Sequence, residues 1–553
     1  MSTLFQELKR RKVFRVATAY VVVAWVLLQV ATTLLSTFEA PLWISQAFVI
    51  LLILGFPLAL ILSWAYDITP EGIVADTIDS QSAAAEISVQ PNGVAVLPLE
   101  NICAQEGYDY FVDGMHAVLI TSLSKISALN VFSRTSTRLY KDSAKSIREI
   151  GAELGAAKVI EGSVYRDSDL VQITVQLIDV ATDTLNWSEQ YDCTLSNILQ
   201  VQRDAASDIA KQVSVVLTED EQSRFSAVPR VTPQAYDAYL KGMHYWYQLT
   251  PDSLHKGISE FEGSIEADAQ FAPAYAGIAA CWAGLQQMGA SDAAQTRPKI
   301  LVAVEKALAL DPNLAEAQFS LAVYSTWSAF DWNSARSAFE QTIELDASFP
   351  DGFAYYAHFL CCMGEHEKAT APIVRAVNLD PYNPLIRSLY TAVLLFQGKF
   401  EQALVELEKV VKTAPDHWLA YEILRHVHHH LGSEREALAA TQTMYRLLGK
   451  LEVSTAMDEG FTSRGYREAM SRGGDTLAAL AAQGETVSIS QIALLYDFAG
   501  RTEDASEYIF KAYEISESPL PYLRQHYSEE LLKQPLVLKV LEQMKFPEKT
   551  YAG

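Results

Sequence analysis

The sequence is poor in cysteine and in positive charge for its length. Its 553 residues include five cysteines, and 43 Lys and Arg stand against 67 Asp and Glu, which gives a formal net charge of −24. The odd number of cysteines and the absence of any CxxC pair exclude a zinc ribbon and a thioredoxin-like redox motif. Because a polyanion repels a phosphate backbone, the acidic excess argues against nucleic acid as a partner for the bulk of the chain.

The common catalytic and nucleotide-binding motifs are also absent. The sequence has no glycine-rich phosphate loop of either common form, no HExxH and no GxSxG. We therefore predict a protein that is not an enzyme and that needs no cofactor and no metal. One histidine cluster needs a separate interpretation, because His426 and His430 are one helical turn apart, a spacing that suits a transition metal. A polar ligand groove and a solvated helix face are the alternatives for these histidines.

Long apolar runs are confined to the N-terminal 70 residues. Residues 16–35 and 44–66 contain no charged side chain, and each run is long enough to cross a hydrocarbon core of about 30 Å. The short link between them predicts an antiparallel hairpin. Five basic residues precede the first run and none lies in the link, so the positive-inside rule places both termini and the whole chain after Tyr66 in the cytoplasm. A secretory signal peptide, or one crossing run beside an interfacial one, is the alternative.

Three further regions follow the predicted membrane anchor, which spans residues 1–72. Residues 73–92 are rich in Ser, Ala and acids and are predicted to be a flexible linker. Residues 93–217 predict strands and helices in the order βαβαβββα, which suits a small α/β domain with a mixed sheet covered by helices. One predicted strand alternates apolar Val171, Ile173 and Val175 with polar residues, so one of its faces should be buried. Residues 218–232 are predicted to be a second linker.

The C-terminal half of the chain repeats itself with a period of 34 residues. A Gly-x-x-x-x-Ala marker begins at Gly364, Gly398, Gly432 and Gly500. A second marker, Leu-Asp-Pro or a close variant, keeps the same period and includes Asp311, Asp346 and Asp380. A period of 34 residues is the signature of a helix–turn–helix unit of the tetratricopeptide type. We predict about eight such units over residues 233–520, forming an all-α solenoid, and a capping helix with a tail over residues 521–553.

These patterns resemble known families. The repeats resemble tetratricopeptide repeats, and the stretches GVAVLPLEN, IREIGAELGAAKVIEGSVYR and VQITVQLIDVATDTLNWSEQYD look like the TolB amino-terminal-like (FlgO-like) domain of bacterial envelope and signalling proteins. In the wider family such parts are often joined to an adenylate/guanylate cyclase domain or a winged-helix DNA-binding domain. The resemblance therefore implies the sensory or scaffolding part without a catalytic output. Met115 and His116 stand where the family usually has polar or acidic residues.

The predicted function is that of a scaffold tethered to the bacterial inner membrane, which binds a protein or peptide in the concave groove of its repeats. The α/β domain is predicted to be a second interaction module or a unit for homo-oligomer formation. A regulatory subunit for a nucleotide cyclase is the alternative function, as is an envelope-assembly factor with its soluble part in the periplasm. The spacing places the following residues in the groove: Glu316, Phe319, Val323, His358, Ser388, Leu395, Glu422, His426 and His429.

Overall fold

The computed structural model describes residues 66–69, 72–75, 90–103, 107–226, 231–288, 290–291 and 293–546. The two predicted membrane spans lie outside these residues, apart from Tyr66. Among the helices that are described, none combines the length and the apolar character that crossing a bilayer requires. The chain divides into a unit of residues 1–86 and a unit of residues 87–553. In the first unit, β1 (Tyr66–Thr69) pairs with β2 (Gly72–Ala75) as an antiparallel hairpin.

The second unit begins with the small mixed sheet that the sequence predicts. Its strands are β3 (Gln90–Val96), β4 (Glu100–Asn101), β5 (Asn130–Val131), β6 (Ala156–Asp167), β7 (Leu170–Asp179) and β8 (Thr184–Thr194). The strand order is β5-β3-β6-β7-β8, with β4 also on β6. The first pairings are parallel and those of β6, β7 and β8 are antiparallel. The first residues of β3, 90–92, and residues 73–75 of β2 fall within the segment predicted to be a flexible linker.

Helices cover this sheet, and local sequence sets their ends. They are α1 (Asp109–Ser124), α2 (Arg134–Arg138), α3 (Ile147–Leu154) and α4 (Ile198–Gln212). Helix α3 begins with a capping box in which Ser146 and Glu149 bond to each other's backbone N–H, and it ends at Gly155 with a φ of 76°. The alternating apolar residues of β7 are buried, as predicted.

The rest of the second unit is helical and includes the predicted repeat region. It contains α5 (Glu219–Ser226), α6 (Pro233–Trp246), α7 (Pro251–Ala267), α8 (Ala272–Gln287), α9 (Ala293–Leu310), α10 (Ala315–Tyr324), α11 (Trp332–Leu345), α12 (Pro350–Cys362), α13 (Thr370–Leu379), α14 (Pro384–Phe396), α15 (Phe400–Thr413), α16 (Trp418–His430), α17 (Glu434–Leu447), α18 (Leu451–Arg464), α19 (Tyr466–Ala482), α20 (Ile489–Ala499) and α21 (Thr502–Glu514). The marker glycines Gly364, Gly398, Gly432 and Gly500 all have positive φ, as the turn between paired helices requires.

Two segments differ from their predicted form. Residues 218–232 contain the helix α5, so this segment is not simply a linker. The predicted capping helix is a chain of short helices, because Pro535 and two turns interrupt it. They are a 3₁₀ turn (Leu520–Tyr522), α22 (Leu523–His526), α23 (Glu529–Leu532) and α24 (Pro535–Gln543).

The α/β domain packs directly on the first repeat helix. A Cβ on Gly114 in α1 would lie 2.8 Å from Leu240 Cδ2 in α6, so glycine is what allows these helices to approach so closely. Beside this contact, the Asp237 carboxylate of α6 accepts hydrogen bonds from Arg166 Nη1 at 2.5 Å and Tyr110 Oη at 2.8 Å. Arg166 is only 8% exposed. The domain and the repeats are therefore joined by a packed, ion-paired interface.

Further along the array, the repeat markers themselves contact the α/β domain. Asp346 accepts a hydrogen bond from Ser124 Oγ at 2.7 Å, and Asp380 accepts one from Ser136 Oγ at 2.7 Å. Both aspartates are buried. The Ser133 N–H also donates to the Leu379 carbonyl oxygen at 2.9 Å. The aspartates that mark the ends of repeat units thus bond the α/β domain to the loops between those units.

Candidate functional site

The first helices of successive repeat units form the inner row of the array. Helices α6, α8 and α10 contact one another in turn, and so do α12, α14 and α16. The rings of Phe319 in α10 and Tyr355 in α12, 5.4 Å apart, join the two groups. This row is the concave surface on which the sequence places the groove.

The chain's own C-terminal segment, residues 515–546, lies on part of this surface. Tyr522 Oη and His358 Nδ1 are 2.9 Å apart in a hydrogen bond, and Gln525 Nε2 donates to the Cys361 carbonyl oxygen at 2.7 Å. Tyr527 Oη donates to the carbonyl oxygen of Ser490 in α20 at 2.8 Å. The segment therefore contacts units that are distant from one another in the sequence, and two of these bonds go to backbone carbonyls.

Aromatic stacking reinforces the same contact. The ring of His526 stacks on His426 with centroids 4.5 Å apart, and it also contacts Phe396 at 5.5 Å. Leu520 and Leu523 of the segment are 1% and 0% exposed. Burying side chains of this size contributes about 1.5–3 kcal/mol each. This part of the concave surface, over α12, α14, α16 and α20, is a packed interior, and we call it the closed half.

The C-terminal segment also returns to the early repeats. Arg297 Nη2 in α9 donates to the Ser516 carbonyl oxygen at 2.6 Å, and Gln286 Nε2 in α8 donates to Ser518 Oγ at 3.2 Å. Trp332 Nε1 in α11 donates to the Met544 carbonyl oxygen at 2.8 Å. The C-terminal segment therefore bonds to the second and third repeat units, through α8, α9 and α11.

Five of the predicted groove residues are buried, and two of these, His358 and His426, contact the C-terminal segment directly. The five are Val323, His358, Ser388, Leu395 and His426. Of the other four, Glu316, Phe319, Glu422 and His429 are half-buried. Glu422 accepts hydrogen bonds from Arg425 and Gln491.

The histidine cluster has packing partners of its own. His429 stacks on Phe498 at 3.9 Å, and its Nδ1 is 3.1 Å from Tyr466 Oη. His430 Nδ1 bonds to the carbonyl oxygen of His426 at 2.8 Å. In the described part of the chain, no group of three or more His, Cys, Asp or Glu is arranged to hold a metal ion. The vicinal Cys361 and Cys362 are buried as well.

The buried histidines of the closed half resist protonation. Burial lowers the pKa of His358 to about 4 and that of His526 to about 3, and the Arg425 guanidinium adds to the effect on His526. Burial also lowers the pKa of His429 to about 4. Arg425 is fully buried and donates from Nη2 to Glu422 at 3.2 Å and to Gln491 at 2.5 Å. The closed half is thus a neutral, aromatic interior around one compensated cation.

A second part of the concave surface faces the α/β domain and adjoins the closed half at Tyr355, which interacts electrostatically with Tyr522. We call it the open cleft and define it by Tyr247, Glu316, Phe319, Asp351 and Tyr355, all of which are half-buried. It lies between the end of α6, the start of α10 and the start of α12.

The electrostatics of the open cleft differ from those of the closed half. Burial raises the pKa of Asp351 to about 7, and the nearby Asp380 carboxylate adds to this. Burial raises the pKa of Tyr247 to about 12, with Arg134 opposing the rise and Glu316 and Asp351 adding to it. The carboxylates of Glu316 and Asp351 therefore both act on the Tyr247 hydroxyl.

Sequence reasoning identified only part of this site. Glu316 and Phe319 were found because the repeat register points them inward. Asp351, Tyr247 and Tyr355 were missed, although the register that places Glu316 in the groove would have found Asp351 one unit further along. The occupation of the groove by residues 520–527 was missed as well. Its only signal was the aromatic and apolar character of PLPYLRQHY after the last repeat.

Comparisons with known proteins concern the two folded regions separately. The profile of the second domain of HilA/YgeH-like transcriptional regulators matches residues 91–209. A curated relative, putative adenylate cyclase 3 of Rhizobium meliloti (strain 1021), is 34% identical over 185 residues, which are 34% of this chain and 32% of that protein. The chain thus spans about a third of the length of this relative. The α/β domain is similar to a transcription-regulator domain, and its FlgO-like assignment stays a prediction.

The comparison with solved structures gives partial matches at low identity. The human IFIT1 dimer with m7Gppp-AAAA has a TM-score of 0.37 at 17% identity, covering 57% of this chain and 77% of that one. A thermophilic TPR protein of Thermus thermophilus has a TM-score of 0.29 at 16% identity, covering 35% of this chain and 98% of that one. Identities and TM-scores this low support no functional conclusion.

Proposed function

We propose that this chain is a non-catalytic scaffold that binds a protein partner on the concave surface of its repeats. The observation that carries the proposal is the seating of the C-terminal segment on that surface. Tyr522, Gln525 and Tyr527 support it, because within the chain they bond to a side chain and to backbone carbonyls of the array. Because the closed half is already filled, we assign partner binding to the open cleft, next to the α/β domain.

A photo-crosslinking experiment in cells tests this proposal. A photoreactive amino acid is placed at Phe319 in the open cleft and, as a matched control, at Val302, which is 66% exposed on α9. We expect a discrete crosslinked protein from position 319 that is absent from position 302. The same set of adducts from both positions would contradict a specific binding surface.

We further propose that the scaffold is tethered to the bacterial inner membrane with its folded part in the cytoplasm. Residues 16–35 and 44–66 support this as uncharged runs preceded by basic residues. Alkaline phosphatase and a fluorescent protein that matures only in the cytoplasm are fused separately after Gly553. Fluorescence without phosphatase activity is the expected result. Phosphatase activity without fluorescence would favour an envelope-assembly factor.

A regulatory role beside a nucleotide cyclase is the second candidate function. It is supported by the 34% identity over 185 residues to a protein named putative adenylate cyclase 3. Deletion of the gene should then change the cellular cyclic nucleotide concentration. Unchanged cyclic nucleotide under several growth conditions would count against this candidate.

A further inference from the structure

The open cleft has aromatic walls. Phe319 contacts Tyr355 at 5.4 Å and Phe349 at 5.1 Å, in both cases edge to face, and all three rings are half-buried. Tyr247 lies at the end of α6, on the side of the α/β domain. Edge-to-face packing leaves ring faces that carry partial negative charge, and these attract cations.

Two carboxylates in the cleft are incompletely paired. Glu316 Oε2 is buried and has no hydrogen-bond partner among the described residues, while its Oε1 is 4.0 Å from Lys125 Nζ. Burial and the negative charge of Asp380 both act on the Asp351 carboxylate. No hydrogen bond or ion pair of Asp351 is found in the described part of the chain. A buried acceptor without a donor is costly, so the cleft favours a group that brings N–H donors.

The α/β domain already places cations against this surface. The Arg134 guanidinium lies 4.2 Å above the Tyr247 ring, and Arg134 is only 9% exposed. Asp113 Oδ2 lies 3.7 Å from Arg134 Nη2 and so compensates this charge. The Lys125 ammonium at Glu316 is the second example. Within the chain itself, the groups that approach the cleft from the α/β side are therefore basic.

We propose that the open cleft binds a lysine or arginine side chain of a protein partner, with the alkyl stem or guanidinium against the aromatic rings and the charge on Glu316 and Asp351. The proposal rests on the scaffold function proposed above and specifies the chemistry of its partner. Phe319 and Tyr355 provide ring faces, the two carboxylates provide acceptors, and Arg134 and Lys125 border the cleft.

This arrangement links binding to the release of a proton. Without a bound cation, the pKa of Asp351 is about 7. A cation inserted beside Asp351 favours its ionised carboxylate, so the proton is released. The groups facing Asp351 are Asp380, Tyr247 and Tyr355, with Glu316, Arg134 and Lys125 around them and His244 beside Asp113. We therefore expect binding of a basic peptide to be tighter at pH 8 than at pH 6.

The test is a selection from a phage-displayed library of random heptapeptides on the full-length protein in detergent. We expect enrichment of Arg or Lys at one peptide position. The double variant Glu316→Gln/Asp351→Asn should lose this enrichment and should bind a selected peptide at least about tenfold more weakly, because both carboxylates that hold the cation are neutralised. The control variant Glu340→Gln, on α11, should behave as the wild type, because Glu340 contacts Tyr356 outside the cleft.

Several results would overturn the proposal. The first is selection of acidic or neutral peptides, and the second is an enrichment of basic peptides that the double variant retains. The third is competition by agmatine that is as effective as competition by the free peptide, because the ligand would then be a small amine. A thermal melting temperature of the double variant that is not below that of the wild type excludes misfolding as the cause of weak binding. Crosslinking at position 319 without any preference for basic peptides would reject this inference alone. If the crosslink at position 319 and the preference for basic peptides are both absent, the proposed scaffold function is rejected as well.

Discussion

The closed half and the open cleft are parts of one concave surface with opposite chemistry. In the closed half, the C-terminal segment buries aliphatic and aromatic side chains, and the histidines there are held neutral. In the open cleft, the rings are half-buried and the buried Glu316 Oε2 has no hydrogen-bond partner among the described residues. The comparison shows that an inward-facing position in a repeat array is not by itself a binding position, because the chain can fill its own groove.

The largest effect is expected from weakening the closed half. Leu523 is 0% exposed, so Leu523→Ala removes buried methyl groups and leaves a cavity, which should lower the free energy of unfolding by about 2–5 kcal/mol. Leu538→Ala in the same segment is the control, because Leu538 is 52% exposed. Urea unfolding of the full chain measures both variants. Equal, small effects would mean that the segment is not part of the core.

The contact between the α/β domain and the array should be the next most sensitive. In Gly114→Ala, the new methyl group meets Leu240 Cδ2 at 2.8 Å, so α1 and α6 must separate and stability should fall by about 1–3 kcal/mol. Gly263→Ala in α7 is a matched control with no atom within 4 Å of the new methyl group. It should raise stability by up to about 1 kcal/mol, because alanine favours helix. A neutral Gly114→Ala would contradict the close packing of the two helices.

The closed half should be sensitive to acid. Unfolded histidine takes up a proton near pH 6.5, whereas the pKa of His358 is about 4 and that of His526 about 3. The unfolded chain therefore binds more protons in this range, and stability should be lost as the pH falls from about 6.5 towards 4. His526→Gln should reduce the slope of unfolding free energy against pH. An unchanged slope would show that His526 is not buried as a neutral group.

The open cleft should show a smaller effect with the opposite sign. An unfolded aspartate loses its proton near pH 3.9, but the pKa of Asp351 is about 7. Stability is therefore lost as the pH rises from about 4 through 7. Asp351→Asn should remove this loss and stabilise the protein at pH 8 by on the order of 1 kcal/mol. The measurement is urea unfolding at pH 5 and pH 8, and destabilisation at pH 8 would mean that Asp351 has a cationic partner.

Much of the fold was predictable because its signals are local. The alternation in β7 and the 34-residue period each depend on neighbours within one element or one repeat unit. Part of the site was predictable for the same reason, since Glu316 and Phe319 follow from the repeat register. The burial of these residues could not be predicted, because whether an inward-facing side chain is buried depends on which distant segment covers it.

The marker aspartates show the same limit. Their period identified the ends of repeat units, yet Asp346 and Asp380 also accept hydrogen bonds from Ser124 and Ser136 of the α/β domain. Nothing in the spacing of the markers indicates that interface. The contact exists because the loops between three units meet the domain in space.

The sequence by itself determined the order of the regions, the mixed sheet and the helical repeats, because hydrophobic period and turn residues act over short distances. Only the tertiary structure decided that the C-terminal segment bonds to the second and third repeat units, through contacts such as Trp332 with Met544. It also decided which part of the concave surface the C-terminal segment fills. The physical reason is that burial is a property of the whole packed chain, whereas a sequence pattern records only which side chains share a face.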